Sequence, residues 1–171
     1  MNSIIEQISR QDPDFLRHIY RIRQSVFEKE LCFPRQDRMV YNEWDSLSNH
    51  YLLIHDGKPS GTISVIDLTD LTEILNTQNL PLNLRIAKMT KLAILPEARG
   101  VANLKKLVFA ALAELKDFDY VTADVAPPSS NPADMSRYQK GEYYKKLFGL
   151  EKIATINESG IIRRILGRKL L

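Results

Sequence analysis

The residues best suited to chemistry lie at a junction between a predicted strand and a predicted helix, residues 92–109. An apolar run ends at Pro96, a four-residue turn follows, and an amphipathic helix begins near Ala102. The first N–H groups of a helix have no partner within it and carry partial positive charge, so such a junction can bind a phosphate. The alternative is an ordinary connection between strand and helix, capped at Gly100.

Three further side chains could take part in chemistry. His50 and His55 could act as bases, although histidines near the ends of a strand are more often surface residues. The single cysteine, Cys32, cannot form an internal disulfide and is predicted to be a small buried residue, whereas an exposed thiol there would be reactive. This cysteine usage, an early charge in the N-terminal segment and the lack of a long apolar run favour a cytoplasmic protein.

The elements that must position these residues alternate along the chain. Asp12 predicts the start of a helix, and apolar residues then recur every three or four positions over residues 13–31. Residues 33–49 are predicted to be a loop with a helical turn. A hairpin at residues 50–68 and a short helix within residues 69–84 follow.

The second half of the chain continues this alternation. It contains predicted strands at 85–95 and 120–126, helices from about residue 102 and at 133–148, and a final hairpin at 151–166. Helices that alternate with strands, followed by a closing hairpin, predict one mixed α/β domain over residues 1–171.

The charge pattern excludes some classes of partner. The net charge of +3, from 24 basic and 21 acidic residues, is too balanced for a nucleic-acid-binding protein. Basic residues concentrate near the C-terminal end, where they could meet an acidic partner protein or form a solvated tail. These residues are Arg163, Arg164, Arg168 and Lys169.

The strand–turn–helix junction resembles the pyrophosphate loop of the GNAT acyltransferase superfamily. That loop has arginine or glutamine, two variable residues, glycine, one variable residue, and then glycine or alanine. Arg99 takes the first position, and Ala102 and Leu104 stand at the two small-residue positions. Because larger side chains there narrow the approach to a pyrophosphate, the sequence favours a carrier protein over free coenzyme A as donor. The resemblance implies a mixed, mostly antiparallel sheet of about six to seven strands flanked by helices.

A second block resembles the end of the last helix in that superfamily. Tyr143 and Tyr144 begin a stretch that matches its tyrosine, lysine, leucine and glycine pattern, with one extra residue before Gly149. In that family the tyrosine protonates the departing thiolate, so the resemblance implies that one of the two is a general acid. One helical residue is about 100° of rotation, so the other would point elsewhere. The alternative is that both tyrosines only pack and hydrogen-bond.

A third block resembles the autoinducer (acyl-homoserine-lactone) synthases and the related long-chain N-acyl amino acid synthases. The chain shares Arg23 and Phe27 in the first helix, and the acidic pair Glu43 and Asp45 shortly before a Tyr-Leu-Leu strand. It departs where those families carry arginine, glutamate and arginine. The residues at these three positions are Ser64, Lys88 and Lys91. Lysine cannot reproduce a bidentate arginine contact, so these departures weigh against a lactone product.

Together the resemblances imply an N-acyltransferase that moves an acyl group directly from a phosphopantetheine thioester to the amine of a small molecule or amino acid. Glu43 or Asp45 is expected to hold the amine or take its proton, and Arg23, Phe27 and Trp44 to line the acceptor site. Backbone groups of the fourth strand and the following loop are expected to hold the donor. They belong to Leu92, Ala93, Ile94, Leu95, Arg99, Gly100, Val101, Ala102, Asn103, Leu104 and Lys105.

The implied co-substrate is acyl-CoA or an acyl group on the phosphopantetheine of an acyl carrier protein, and no metal is implied. Two alternatives remain. One is a short-chain acetyl-CoA-dependent N-acetyltransferase. The other is a non-catalytic relative that binds an acyl or coenzyme ligand, or a partner protein, as a regulator, which the substituted positions Ser64, Lys88 and Lys91 favour.

Overall fold

The structure is a computed structural model that describes residues 3–8, 12–31, 40–71, 76, 80, 82–125, 145–158 and 161–170. Contacts divide the chain into two compact units. The first contains residues 1–66 and 89–116, and the second contains residues 67–88 and 117–171. Some predicted features lie outside the described residues. They are Cys32, most of residues 72–81 and most of the predicted helix at 133–148.

The first helix begins as the sequence predicts. The Asp12 carboxylate accepts hydrogen bonds from the amides of Asp14 and Phe15, at 3.1 and 3.4 Å, and α1 spans Pro13–Arg23. The helix continues as a π-helical segment, Gln24–Glu30, which the sequence pattern does not predict. The apolar face of both packs on strands of the first unit through a cluster of buried residues. The cluster consists of Ile19, Ile22, Val26, Phe27, Leu52 and Ala93.

The predicted hairpin is confirmed, with a tighter turn. Strands β2, Ser48–His55, and β3, Lys58–Asp67, are joined by Asp56 and Gly57 alone. Both have positive φ, 48° and 74°, as a type I′ turn requires, and an Asp-Gly pair favours that turn.

An N-terminal strand that the sequence does not predict lies on the other side of β2. Strand β1, Ser3–Ile8, pairs antiparallel with β2 over its whole length, from Ser3 opposite His55 to Ile8 opposite His50. Its side chains do not alternate cleanly between apolar and polar, so the pairing with β2, rather than a local pattern, defines this edge strand.

Most of the fourth strand and the helix after it belong to the first unit. Strand β4 is Ile86–Ile94, a single 3-10 turn spans Pro96–Ala98, and α2 is Val101–Ala113. This confirms the predicted strand, turn and helix to within a residue or two. The buried stripe of α2 contains Leu104, Leu107, Val108 and Ala111.

Strand β4 contains a β-bulge between Ile86 and Leu95, and we assign it to Lys91 from the backbone of that residue. The Leu95 amide donates to the Ser60 carbonyl and the Leu68 amide donates to the Ile86 carbonyl, both at 2.8 Å. Ser60 and Leu68 are eight positions apart, whereas their partners Ile86 and Leu95 are nine positions apart. The β4 side of the ladder therefore contains one extra residue. Lys91 has φ of 54°, a left-handed conformation that is rare for a side chain in a strand.

Helices α1 and α2 lie on opposite faces of β2. Leu52 packs in the α1 cluster, whereas its neighbour Tyr51 experiences the charge of Glu114, which follows the last turn of α2. Consecutive strand residues point to opposite faces, so the two helices cover different faces. Burial, with the Glu114 charge added, raises the pKa of Tyr51 to about 12.

The second unit contains the closing strands. Strand β5, Tyr120–Val125, runs in the same direction as β4, because Arg85 pairs with Tyr120 and the Ala87 carbonyl accepts from Thr122. Strands β6, Glu151–Glu158, and β7, Ile161–Lys169, form the predicted antiparallel hairpin, and β7 also pairs with β5. A helical turn at residues 145–148 ends at Gly149, whose φ is 63°.

The seven strands follow the order β1-β2-β3-β4-β5-β7-β6. The sheet is mixed and mostly antiparallel, which confirms the predicted fold class.

Candidate active site

Asp45 is the centre of a buried polar network in the first unit. It lies on a 3-10 helix, Glu43–Leu47, whose first turn is closed by a capping box with Asn42. The Asn42 amide donates to Asp45 Oδ2 at 2.8 Å, and the Asp45 amide donates to the Asn42 carbonyl at 3.1 Å. Contacts within the short helix and its cap therefore hold the Asp45 carboxylate in place without help from distant residues.

Two cations contact this carboxylate. Arg23 Nη1 donates to Oδ1 at 2.7 Å, and Lys91 Nζ donates to Oδ2 at 2.6 Å. All three side chains are at most 5% exposed, so the charges are stabilised by one another and not by water. Burial alone would raise the pKa of Asp45. Arg23, Lys91 and the Asn42 amide together lower it by more, so the pKa lies below its usual value. With both oxygens occupied, Asp45 is an organising anion and not a free proton acceptor.

A second chain of hydrogen bonds connects the arginine to a buried histidine. Arg23 Nη2 donates to Ser64 Oγ, and Ser64 Oγ lies 2.6 Å from His50 Nδ1. His50 Nε2 lies 3.0 Å from the Asp45 carbonyl, which can only accept. The pattern therefore assigns the proton to Nε2 and leaves Nδ1 to accept from the Ser64 hydroxyl. His50 is neutral in this arrangement.

The surroundings of His50 favour that neutral form. The residue is fully buried, and burial together with the Arg23 charge lowers its pKa to about 4. The expectation that His50 is a surface residue is wrong. The available signal is the apolar Tyr-Leu-Leu run that follows His50, because a strand buried on both faces buries each of its residues. His55, at the other end of the strand, is part-buried with Nδ1 2.7 Å from Ser3 Oγ.

Lys91 connects the network to the bulge of β4. Its ammonium also donates to Asn42 Oδ1 at 2.9 Å, and burial lowers its pKa. Of the three departures named above, Ser64 and Lys91 thus belong to the network. Lys88 is buried in β4 within the second unit. The sequence indicated the positions of Ser64 and Lys91 but not that Ser64 connects Arg23 to His50 or that Lys91 contacts Asp45.

The predicted donor loop has the expected local geometry. The amide of Leu104 donates to the Gly100 carbonyl at 3.0 Å, which begins the helical bonding of α2. The four amides before it, at residues 100–103, have no partner within the helix, and none of the described side chains caps them. The Asn103 side chain instead reaches back to the Ala98 carbonyl at 2.8 Å. Val101 and Ala102 are exposed, so these N–H groups lie at an open surface.

Several of the backbone donors predicted for this loop are occupied, since the Arg99 amide donates to the Pro96 carbonyl and the Leu104 amide donates to the Gly100 carbonyl. The Leu95 amide is bonded to the Ser60 carbonyl, and the Arg99 side chain contacts the Ile94 carbonyl and the Glu30 carboxylate. Leu104 is buried in the stripe that packs on the sheet, so its side chain does not project over the loop as its motif position suggested.

The remaining predicted site residues differ in where they lie. Phe27 is buried in the α1 cluster, where its ring contacts core residues. Trp44 is half-buried on the 3-10 helix and its carbonyl accepts from Ser48 Oγ, while Glu43 on the same helix is exposed. Tyr143 and Tyr144 lie outside the described residues.

The described part of the chain contains no group of three or more histidine, cysteine, aspartate or glutamate residues that could hold a metal ion. None of its helices is long and apolar enough to span a membrane.

Comparisons with known proteins identify the fold. No protein-family model and no curated protein sequence matches the chain. Among solved structures, an acyl-CoA N-acyltransferase from Pseudomonas aeruginosa matches at 15% identity over 98% of this chain and 99% of its own, with a TM-score of 0.66. The N-acyl amino acid synthase FeeM from uncultured soil microbes matches at 13% identity over 99% and 90% of the two chains, with a TM-score of 0.66.

A third match is BjaI, a CoA-dependent acyl-homoserine lactone synthase whose structure contains SAM and isopentyl-CoA. It is 13% identical over 99% of this chain and 84% of its own, with a TM-score of 0.71. These identities are too low to transfer an activity, but the similarity extends over nearly the whole chain. The protein therefore has the GNAT fold, as the sequence resemblance predicted.

Proposed function

We propose that this protein is an N-acyltransferase that moves an acyl group from a phosphopantetheine thioester to the amine of a small molecule or amino acid. The observation that carries the proposal is the open N-terminus of α2, directly after β4, in a GNAT fold. Four amides at residues 100–103 and the positive end of the helix dipole converge there, which suits the phosphate of a phosphopantetheine arm.

The transfer needs no covalent intermediate on the protein. The amine nitrogen attacks the thioester carbonyl carbon, the C–S bond breaks, and an amide and a free thiol form. One proton leaves the attacking nitrogen and one is gained by the thiolate, so a proton acceptor and a proton donor complete the reaction. Positioning and stabilisation of the carbonyl oxygen by backbone N–H groups supply most of the catalysis.

The acidic pair divides these tasks. Asp45 is buried and held by two cations, so it organises the site. Glu43 lies two residues before Asp45 on the same 3-10 helix and is exposed, so we assign it the proton of the amine. Trp44, between them, is half-buried and can contact the acceptor. By resemblance, Tyr143 or Tyr144 protonates the thiolate.

The donor is either acyl-CoA or an acyl carrier protein. The occupied Arg99 side chain and the alanine at position 102 favour the carrier protein, because its arm lacks the adenosine diphosphate that this loop holds in other GNAT proteins. The CoA-dependent neighbour BjaI supports acyl-CoA. Calorimetric titration with acyl-CoA and with acyl carrier protein decides between them, and tight binding of acyl-CoA alone would reverse the preference.

Turnover tests the reaction itself. Thiol release is measured with an amine panel for the wild type, Glu43→Gln, Tyr143→Phe and Tyr144→Phe. The proposal predicts amine-dependent thiol release that Glu43→Gln and one tyrosine variant slow, with the donor still bound.

A second candidate is a non-catalytic relative that binds the same donor as a regulator. The observation that favours it is that the Asp45 carboxylate is buried and paired with two cations, so it is not a free proton acceptor. Donor binding without turnover by any amine would support this candidate, and turnover would exclude it.

A further inference from the structure

We propose that Lys91 is a positioning residue: its ion pair with Asp45 holds the bulge of β4 in the form that presents backbone N–H groups to the thioester. This inference rests on the proposed function. A bulge takes one residue out of the ladder between strands, so backbone groups next to it become available for a ligand. Residues that follow Lys91 in β4, beginning with Leu92, are those expected to contact the donor.

The backbone of Lys91 is the first reason. With φ of 54° it adopts a left-handed conformation that glycine takes readily and lysine does not. Such a conformation persists in a non-glycine residue only when the surrounding structure enforces it. The sequence therefore has a lysine where glycine would suit the backbone better, which indicates that the side chain is needed.

The side chain supplies the enforcing contacts. The side chain is 5% exposed, and its ammonium is held at 2.6 Å by Asp45 of the 3-10 helix and at 2.9 Å by Asn42, the N-cap of that helix. Asp45 is itself fixed by Arg23 from α1. The bulge is thus connected to two other elements of the first unit through one carboxylate.

The ion pair and the bulge depend on each other. Side chains alternate between the two faces of a sheet along a strand. If β4 adopted a regular register without the bulge, every residue on one side of the bulge would move to the opposite face. Lys91 would then leave Asp45, and the cation and the anion would each lose a buried partner. The pair therefore stabilises the bulged register over the regular one.

The test separates the side chain from the backbone. Lys91→Gly keeps the left-handed backbone accessible and removes the ammonium, Lys91→Arg keeps a cation, and Lys58→Gly at an exposed site of β3 is the matched control. Amide hydrogen exchange at residues 90–94 is measured on the full chain without ligand, and kcat and donor KM are measured in parallel.

We expect Lys91→Gly to speed exchange at residues 90–94 at least tenfold and to lower kcat more than tenfold, with donor KM changed less than threefold. Lys91→Arg should recover part of both losses, and Lys58→Gly should match the wild type. Unchanged exchange in Lys91→Gly overturns the proposal, as does lost turnover with unchanged exchange, which would indicate direct contact with substrate.

Hydrogen exchange and turnover test separate statements. If the wild type turns over no donor, the proposed function fails, but hydrogen exchange still tests whether the ion pair holds the bulge. If Lys91→Gly does not fold, the Lys91→Arg variant carries the test: retained protection at residues 90–94 supports the proposal, and lost protection overturns it.

Discussion

Acid should destabilise this protein through His50 at pH values where most carboxylates are still ionised. The histidine is fully buried, and its pKa is lowered to about 4 in the folded chain. In the unfolded chain it has the ordinary value of about 6.5. As the pH falls below 6.5, the unfolded state binds the proton first, so the free energy of unfolding decreases until the pH reaches the folded pKa. Asp45, whose pKa is also lowered, adds a further loss below its ordinary value.

The size of the effect follows from the two pKa values. A difference of about 2.5 units corresponds to a total loss on the order of 3 kcal/mol, of which about 2 kcal/mol is lost between pH 7 and pH 5. That is a large fraction of the roughly 5–15 kcal/mol that stabilises a typical domain.

Urea unfolding at pH 7 and pH 5 measures this loss, and His50→Gln is the comparison. Glutamine can still donate to the Asp45 carbonyl but does not titrate, so the variant should lose about 2 kcal/mol less than the wild type over this interval. NMR titration of the His50 ring gives the folded pKa directly. Equal losses in both proteins, or a ring that titrates near pH 6.5, would show that His50 does not cause the loss of stability in acid.

Two further predictions concern charged groups of the first unit. Asp45→Asn leaves two buried cations without their anion, so it should lower the free energy of unfolding by about 3–5 kcal/mol in urea, and a loss below about 1 kcal/mol would show that the network is not buried as described. Glu30→Gln removes the carboxylate that holds Arg99, so acyl-CoA should bind about two- to fivefold more tightly by calorimetry. Unchanged affinity would mean that the Arg99 guanidinium does not contact the donor.

Local signals made much of the fold predictable. Asp12 with the following proline marks a helix start, and Asp56-Gly57 marks a tight hairpin, because each requires only neighbouring residues. The same holds for the junction of β4 and α2, where neighbouring residues alone indicate the apolar strand, the turn and the apolar stripe of the helix.

The parts that the sequence did not predict depend on distant partners. Strand β1 exists because β2 offers it an edge, and the left-handed Lys91 is enforced by Asp45, which is 46 residues away. The burial of His50 is likewise set by Ser64 in the next strand and by α1 above it. A single sequence gives the residue types of such a network but not which of them converge.

The most direct test of the central claim is the affinity of a Val101→Pro variant for its acyl donor. Val101 is the first residue of α2, where proline fits the helix but lacks the N–H group. The variant should keep the wild-type unfolding temperature and bind acyl-CoA or acyl carrier protein about tenfold or more weakly, since one charge-assisted hydrogen bond is lost. Unchanged donor affinity in a folded Val101→Pro protein would contradict a phosphopantetheine site at the start of α2.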